Sequence, residues 1–250
     1  MRRIILPSVK PLETSGPGRG TDAPKILVSE VAFQRIDYGR TNDQGDILTG
    51  TVGMGWDIDE FSFGYFLVYD YMDYETFDGD RIGNIFFGQY NHTLTKNLTL
   101  GLTAHGHYSY LDIDNTHTFD YDDHVNYWGG GLSTSLRYDN GGMLVPSLAA
   151  SYQYTRSDVS SRFDYQHLLK AGGSLGIRLG SKMVVNIYGM LNEDLSDISK
   201  DLEDDSFFEY DLELVYNLTD TFSFSGGYRK TLEYDSYHSD TLYIGSFLRF

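Results

Sequence analysis

Cysteine is absent from this chain of 250 residues. The absence excludes a disulfide-stapled module, a thiolate metal site and a cysteine nucleophile. Long apolar runs are missing as well, since no stretch approaches the roughly 18 consecutive residues that mark a transmembrane helix. A membrane barrel remains compatible with this composition, because its strands are apolar only at every second position.

Basic residues are also scarce. Lys and Arg number 19 against 36 Asp and Glu, which gives a formal net charge of −17. That balance argues against nucleic acid as a partner, because binding to its backbone needs Lys and Arg to displace counterions. Neither an H-E-x-x-H metalloprotease signature nor a phosphate-binding loop occurs. We therefore predict that the chain is not an enzyme and uses no cofactor.

Proline is rare, and four of the five prolines precede residue 25. Residues 1–25 show no periodicity, and we predict a flexible N-terminal tail or a linker remnant there. The apolar stretch Ile4–Leu6 ends at Pro7, well short of the roughly 7–15 apolar residues of a cleavable signal peptide. We therefore expect no export signal within these residues, and we assign residues 26–250 to the folded unit.

The folded unit is dominated by alternation with a period of two. In the segment 98–110, leucine, alanine and tyrosine residues share one face, whereas threonine and histidine share the other. A strand separates two such sets, and a helix would mix them. Alternation of this kind recurs in twelve runs, at 26–38, 46–56, 61–74, 82–94, 98–112, 125–138, 143–155, 165–179, 183–192, 207–218, 222–234 and 241–250. The first run alternates poorly and could also be helical.

The connections between these runs alternate in length. The predicted short turns are 57–60, 95–97, 139–142, 180–182 and 219–221. The predicted longer and mostly acidic loops are 39–45, 75–81, 113–124, 156–164, 194–206 and 234–240. Short turns at one end and long loops at the other are typical of outer-membrane barrels. We therefore predict an all-β fold, a closed antiparallel up-and-down transmembrane β-barrel of about 12 strands. An even strand number places both termini at the short-turn, periplasmic end.

A soluble β-sandwich is the alternative fold, since its strands alternate too. Three features favour the membrane barrel. Tyrosines lie toward the strand ends on the apolar face, as in an aromatic girdle. The polar face carries ionisable side chains in mid-strand, and the chain ends inside a strand.

The last strand resembles the assembly signal of bacterial outer-membrane proteins. It alternates apolar residues, including Leu242 and Ile244, and ends in an aromatic residue. The candidate signal residues are Tyr243, Leu248 and Phe250. The resemblance implies a bacterial outer-membrane location and recognition by the barrel assembly machinery, with outer-membrane lipid and lipopolysaccharide as further partners.

Two internal segments resemble the translocator (β) domain of autotransporters, the type V secretion class. Tyr90–Gly101 is similar to that family's strand-turn-strand pattern "Y…L…NL.LG", and Leu168–Gly176 is similar to its "L.A..G.G" strand. The resemblance implies a twelve-stranded barrel that anchors or exports a passenger polypeptide through its pore. Two other functions remain open, a free-standing porin-like channel for small solutes and a structural or adhesive barrel with binding loops.

Charged residues within the strands mark the predicted lumen. The predicted lumen-lining residues are Glu209, Asp211, Glu213, Arg229, Arg137, Lys170, Arg178 and Arg249. An Arg or Lys facing hydrocarbon at mid-depth costs roughly 2–4 kcal/mol, so their common face must be wet or paired. Antiparallel pairing across 219–221 places Asp211 opposite Arg229. The charges are interpreted either as a pore lining that contacts solutes or a translocating chain, or as cross-strand ion pairs that rigidify a narrow barrel.

Metal binding has weak support in the sequence. His105 and His107 share the polar face of one strand, and two imidazoles so spaced can chelate a metal, but no third ligand is evident. The acidic loop 194–206 lacks EF-hand spacing. It could bind Ca²⁺ or bridge to lipopolysaccharide through divalent cations, with a solvated acidic loop as the default. No metal site is predicted.

Overall fold

The chain folds into twelve antiparallel strands that close on themselves. The computed structural model describes residues 25–38, 43–75, 77–116, 124–158, 165–195, 206–233 and 237–250. The strands are β1 (Lys25–Tyr38), β2 (Asp43–Ile58), β3 (Phe61–Tyr74), β4 (Phe77–Thr95), β5 (Leu98–Thr116), β6 (His124–Tyr138), β7 (Leu144–Ser157), β8 (Tyr165–Leu179), β9 (Met183–Asp194), β10 (Ser206–Asn217), β11 (Phe222–Glu233) and β12 (Tyr237–Arg249). The predicted residues 1–24 of the tail and most of the loop 194–206 lie outside the described residues.

Each strand pairs with its neighbours in the chain, and β1 pairs with β12 to close the ring. The predicted twelve-stranded up-and-down barrel is thereby confirmed. The poorly alternating first run is a strand, because both of its edges are hydrogen-bonded, to β2 and to β12. Among the described residues, no helix is long and apolar enough to cross a membrane.

The two faces of the sheet differ in chemistry. In β3, Phe61 and Phe63 point outward and are exposed, whereas Ser62 and Val68 point inward and are buried. Residues that pair across two strands point to the same face of the sheet. The register therefore assigns inward and outward positions on every strand around the ring. The outer surface is therefore apolar and aromatic, and the inner surface carries most of the polar side chains within the strands.

Tight turns join the strands at one end of the barrel. Ile58 pairs with Phe61 across a two-residue turn in which Asp59 takes a φ of 55°. Gly180, in the turn between β8 and β9, takes a φ of 78°. Asp and Gly tolerate this left-handed conformation, which suits hairpin twist. Pairing of Ile26 with Arg249 places the start of β1 and the end of β12 at the same end.

The opposite end departs from the predicted loop lengths. The predicted loop 75–81 is wrong, because β4 begins at Phe77 and Asp70 pairs with Arg81 in the ladder. The acidic residues there alternate with inward-facing ones, and an outer row of acids resembles a solvated loop in the sequence. Strands β4 and β5 each reach 19 residues, more than the roughly 9–11 that cross a bilayer at a tilt, so the wall extends beyond that depth.

Ring side chains lie over glycines on the inner wall. A Cβ built on Gly53 would overlap the ring of Phe66, its cross-strand partner. The same arrangement recurs in the register pairs Tyr74–Gly45, Phe87–Gly64, Tyr243–Gly227, His105–Gly131 and His107–Gly129. A ring laid across a strand glycine covers backbone that would otherwise lack side-chain packing. These glycines are therefore needed for close approach.

We expect Gly53→Val to destabilise the barrel by about 1–3 kcal/mol, because the added side chain must displace the Phe66 ring from a packed position. The matched control is Gly50→Val on the same strand, since Gly50 faces outward with open space around it. Urea titration of the refolded protein, followed by heat-modifiable electrophoretic mobility, measures both. Equal midpoints for the two variants would contradict the packing role of Gly53.

Candidate functional site: the barrel lumen

The structure places all eight charged residues predicted from the sequence on the inner face of the barrel. They occupy the inward rows of β6, β8, β10, β11 and β12. Three of them are brought together by Asp211, which pairs across the ladder with Arg229 and lies between Glu209 and Glu213. Of the remaining ones, Lys170 lies beside Glu209, whereas Arg137, Arg178 and Arg249 lie at the short-turn end.

A network of charges and hydrogen bonds lies on the inner wall formed by β8–β12. Arg229 Nη2 lies 3.2 Å from Asp211 Oδ2, and the Tyr243 hydroxyl donates to Asp211 Oδ1 at 2.8 Å. Lys170 Nζ lies 3.5 Å from Glu209 Oε2 across strand β9. Buried charges are tolerated when paired and hydrogen-bonded, which is the arrangement seen here.

A second buried pair was missed in the sequence. Arg81 Nη2 lies 2.5 Å from Asp70 Oδ2, and the exposed fractions of the two side chains are 4% and 1%. The Thr49 hydroxyl donates to Asp70 Oδ1 at 2.5 Å. The sequence pattern predicts a loop at Arg81, so it does not predict the pairing of β3 with β4 that joins these residues. The signal for the strand is the alternation of Asp78 and Asp80 with Gly79 and Arg81.

Ionic contacts also tie the wall at the short-turn end. Arg249 Nη2 lies 3.3 Å from Asp57 Oδ2, which links β12 to β2 across the start of β1. Arg178 donates to both oxygens of Asp139, at 3.0 and 2.5 Å, and Arg137 Nη2 lies 3.5 Å from the same carboxylate. These contacts straddle β1 and β7, which are half the ring apart and hence on opposite sides.

The inner wall is apolar near the long-loop end. A buried cluster combines Ile36, Ile47, Met72, Tyr74, Leu111 and Val125, which come from β1, β2, β3, β5 and β6. Their packing fills the interior beside these strands. The cluster lies next to Arg81, whose cross-strand partner is Leu111, so the buried ion pair borders an apolar layer.

Small residues line the remaining sector of the wall. In the middle of β6, β7 and β8 the inward row is half-buried and rich in small residues, namely Gly129, Gly131, Ser133, Ser135, Ser147, Ala149, Ser151, Gly172 and Ser174. By contrast, the inward rows of β3 and β10 are almost fully buried, as at Asp70 and Asp211. Short side chains therefore border the interior beside β6–β8. They lie between the Arg137–Asp139–Arg178 contacts and the level of Lys170 and His105.

The two histidines form a stacked pair on β5. The ring centroids of His105 and His107 are 6.2 Å apart, and Thr155 Oγ1 lies 3.4 Å from His107 Nε2. Among the residues that the structure describes, no group of three or more His, Asp or Glu side chains is placed to hold a metal ion. The rings instead pack against Gly131 and Gly129, which accounts for their position.

One string of residues in β8 has the form G-x-S-x-G, at Gly172–Gly176. A serine-hydrolase nucleophile needs a sharp strand-to-helix turn at that motif. Here the five residues lie within a continuous strand, and Ser174 Oγ lies 2.7 Å from Ser147 Oγ. The string is therefore part of the small-residue wall and has no elbow geometry.

The candidate assembly residues lie on different faces of β12. Leu248 pairs with the exposed Leu27 on the outer face, and Phe250 follows the strand as an exposed residue. Tyr243 faces inward and is buried against Gly227 and Asp211. The outward alternation of this strand is therefore carried by Leu242, Ile244 and Leu248.

Comparison with known proteins finds similar folds and no similar sequences. No family model matches the chain, and no curated protein sequence matches it. Among solved structures, an outer-membrane channel from Pseudomonas putida F1 matches with a TM-score of 0.68 at 12% identity, covering 97% of this chain and 100% of that one. The β domain of the Bordetella autotransporter BrkA matches with a TM-score of 0.65 at 13% identity, covering 91% and 99%.

The translocator domain of the autotransporter NalP from Neisseria meningitidis has a TM-score of 0.61 at 14% identity, covering 93% of this chain and 90% of that domain. The chain has the fold of an outer-membrane β-barrel. Its exposed outer rows of Leu, Phe and Tyr accordingly contact lipid, and its inward charges line an interior shielded from lipid. Translocators and channels share this barrel, so the choice between them depends on the lumen.

We expect the buried ion pair of the outer-membrane barrel to matter more than an exposed one. Arg81→Met should lower the free energy of unfolding by about 3–5 kcal/mol, because it leaves Asp70 buried without its charge partner. The matched control is Arg35→Met, since the Arg35–Asp46 pair is cross-strand too but exposed by 65% and 38%. That substitution should lower the free energy of unfolding much less, because an exposed ion pair contributes little to stability. Urea unfolding in lipid vesicles measures the free energy of unfolding of both variants. Similar losses in the two variants would contradict a larger contribution from the buried pair.

Acid should weaken the short-turn end of the barrel. Hydrogen bonds from Arg178 lower the pKa of Asp139 below its usual range. A carboxyl whose pKa is lower in the folded state adds stability above its unfolded pKa of about 3.9, and loses it as pH falls through the folded pKa. Asp139→Asn should therefore be less stable than the parent at pH 7, with a difference that vanishes in acid.

The measurement is the urea midpoint as a function of pH for the parent and the variant. The control is Asp220→Asn, in the turn between β10 and β11, where the described residues offer no ion-pair partner. Its profile should follow that of the parent. A difference for Asp139→Asn that persists unchanged at pH 2 would show that the effect is not electrostatic.

Proposed function

We propose that this outer-membrane barrel is a narrow channel for small solutes, whose course follows the wall formed by β6–β8. The observation that carries the proposal is the row of half-buried Gly, Ser and Ala side chains on these strands. Twelve strands enclose an interior between that of a filled eight-stranded barrel and that of an open porin. The short side chains on these strands extend less far into that interior than the rings of β3 and the acidic side chains of β10 do.

The polar groups along this course suit a hydrated solute. The course is bordered at the short-turn end by Arg137 and Arg178, and midway by Lys170, which is paired with Glu209. Serine hydroxyls between these points can exchange hydrogen bonds with water or solute. A solute that passes along this wall can keep hydrogen-bonding partners throughout. The free-energy barrier to its passage is therefore lower.

The test is single-channel conductance of the full chain in a planar bilayer. We expect discrete openings in the parent, and we expect Ser133→Trp to reduce the unit conductance by more than half, because Ser133 faces the small-residue row. The matched control is Thr134→Trp, the next residue on β6, which faces lipid and should leave conductance unchanged. Absence of unit conductance in the full chain, or equal conductance in both variants, would contradict the channel.

Passenger translocation is the second candidate. It is favoured by the placement of the two translocator-like segments. Tyr90–Gly101 forms the end of β4, a tight turn and the start of β5, and Leu168–Gly176 lies within β8. These are the strand-turn-strand and strand positions that the resemblance implies. In a translocator, the segment before β1 would occupy the lumen.

Removal of residues 1–24 separates the two candidates in the same bilayer experiment. A translocator should be blocked as the full chain and should conduct once those residues are removed. A channel should conduct in both forms. Equal openings before and after removal would therefore contradict translocation, and openings seen only after removal would contradict the channel.

A further inference from the structure

The positive charges of the strands are almost all paired within the chain. Among strand residues whose side chains the structure describes, the pairs within 4.0 Å are Arg35–Asp46, Arg81–Asp70, Arg137–Asp139, Arg178–Asp139, Lys170–Glu209, Arg229–Asp211, Lys230–Asp240 and Arg249–Asp57. Within that described set, Arg156 is the exception. A strand arginine without a carboxylate is unexpected in a chain with 36 acids and 19 bases.

Arg156 lies on an aromatic platform on the outer surface. Its register partners are Trp128 on β6 and Tyr165 on β8, and both of these side chains are exposed. The guanidinium carbon lies 5.5 Å from the centre of the Trp128 ring. The nearby carboxylate of Asp158 accepts hydrogen bonds from the backbone N–H and the side-chain amide of Asn126, at 2.7 and 2.6 Å. The Trp128 ring thus positions the guanidinium, and the N–H groups of the guanidinium can bind an external group.

The position of Arg156 along the strand corresponds to lipid headgroups. Strand β7 begins at Leu144, next to a short turn, and ends at Ser157. Crossing the hydrocarbon takes roughly 9–11 residues of a tilted strand, so Arg156 lies just past the hydrocarbon on the long-loop side. Tryptophan and tyrosine beside it have the character of an interfacial aromatic belt.

Charge elsewhere at this level would direct an anion to Arg156. The outward rows of β3–β5 carry Asp73, Asp78, Asp80 and Asp112 near their long-loop ends. These carboxylates are direct cross-strand neighbours, Asp73 of Asp78 and Asp80 of Asp112. An anionic headgroup is repelled from that side. The β6–β8 side, with its unpaired guanidinium, is the complementary surface.

We propose that Arg156, held on Trp128 and flanked by Tyr165, binds a phosphate of a phosphorylated glycolipid headgroup in the leaflet at the long-loop end. A guanidinium donates two parallel hydrogen bonds to phosphate oxygens, which gives a stronger contact than a neutral pair. The aromatic rings offer apolar faces to the sugar and upper acyl carbons. This site is on the lipid-facing surface and is independent of the function of the lumen.

The test is titration of the refolded full chain in detergent with diphosphoryl lipid A. Trp56→Phe leaves Trp128 as the single tryptophan, since the chain has two, so its emission reports on the site. In that background we expect Arg156→Gln to raise the Kd at least about tenfold, and Arg156→Lys to fall between. The matched control is Arg35→Gln, an outward arginine that already has a carboxylate partner, and its Kd should change less than about twofold.

Two further titrations make the outcome decisive. Lipid A without phosphates should bind the parent as weakly as diphosphoryl lipid A binds Arg156→Gln. Phosphatidylglycerol should bind the parent more weakly than diphosphoryl lipid A. An unchanged Kd in Arg156→Gln overturns the site, and equal binding of phosphatidylglycerol shows general attraction of anions and overturns the glycolipid. Heat-modifiable electrophoretic mobility checks that each variant is folded. The conductance experiment tests the lumen alone, so its interpretation does not depend on the outcome of these titrations.

Discussion

Closure of the hydrogen-bonded ladder is the constraint on which the rest of this structure depends. Strand β1 pairs with β12 along nearly its whole length, so no strand in the ring keeps an unpaired edge. In hydrocarbon, an open edge would expose backbone groups at a cost of several kcal/mol each. Once the ring is closed, every strand has one lipid face and one interior face, and the alternation of the sequence follows from that division.

The interior that closure creates is unevenly occupied. Ion pairs and hydrogen-bonded acids lie on the side formed by β8–β12, and a buried Arg–Asp pair and an apolar cluster lie on the side formed by β1–β6. Small residues line the middle of β6–β8. Charges that face a shielded interior need partners, and the pairs found here meet that need while bracing the wall. Among the described strand residues, Arg156 on the outer surface differs from the other cations in having no carboxylate partner.

Most of the fold could be predicted from the sequence, because a two-residue period determines both the strand and its face. The inward placement of Asp211 opposite Arg229 follows from phase and turn length alone. The long-loop end was less predictable. Where the wall leaves the membrane, the outer row becomes acidic, so the sequence of the strand that contains Asp78, Asp80 and Arg81 resembles a loop. The Asp70–Arg81 pair is therefore not predictable from the pattern that predicts the other strands. Contacts that skip a strand, such as that of Arg249 with Asp57, depend on the tilt of the strands and on the length of the side chains. The alternation of residues along one strand contains no information about either.

The contact between Arg249 and Asp57 bears on the order of folding. These residues are 192 positions apart in the chain, whereas Arg178 and Asp139 are separated by 39. A hairpin-by-hairpin sheet can form the second contact early, because the loop to be closed is short. The first contact requires β12 to have met β1, so it forms only when the last strand completes the cylinder. It therefore stabilises the pairing of β1 with β12. That pairing forms last in such a sequence and has the largest loop-closure entropy to overcome.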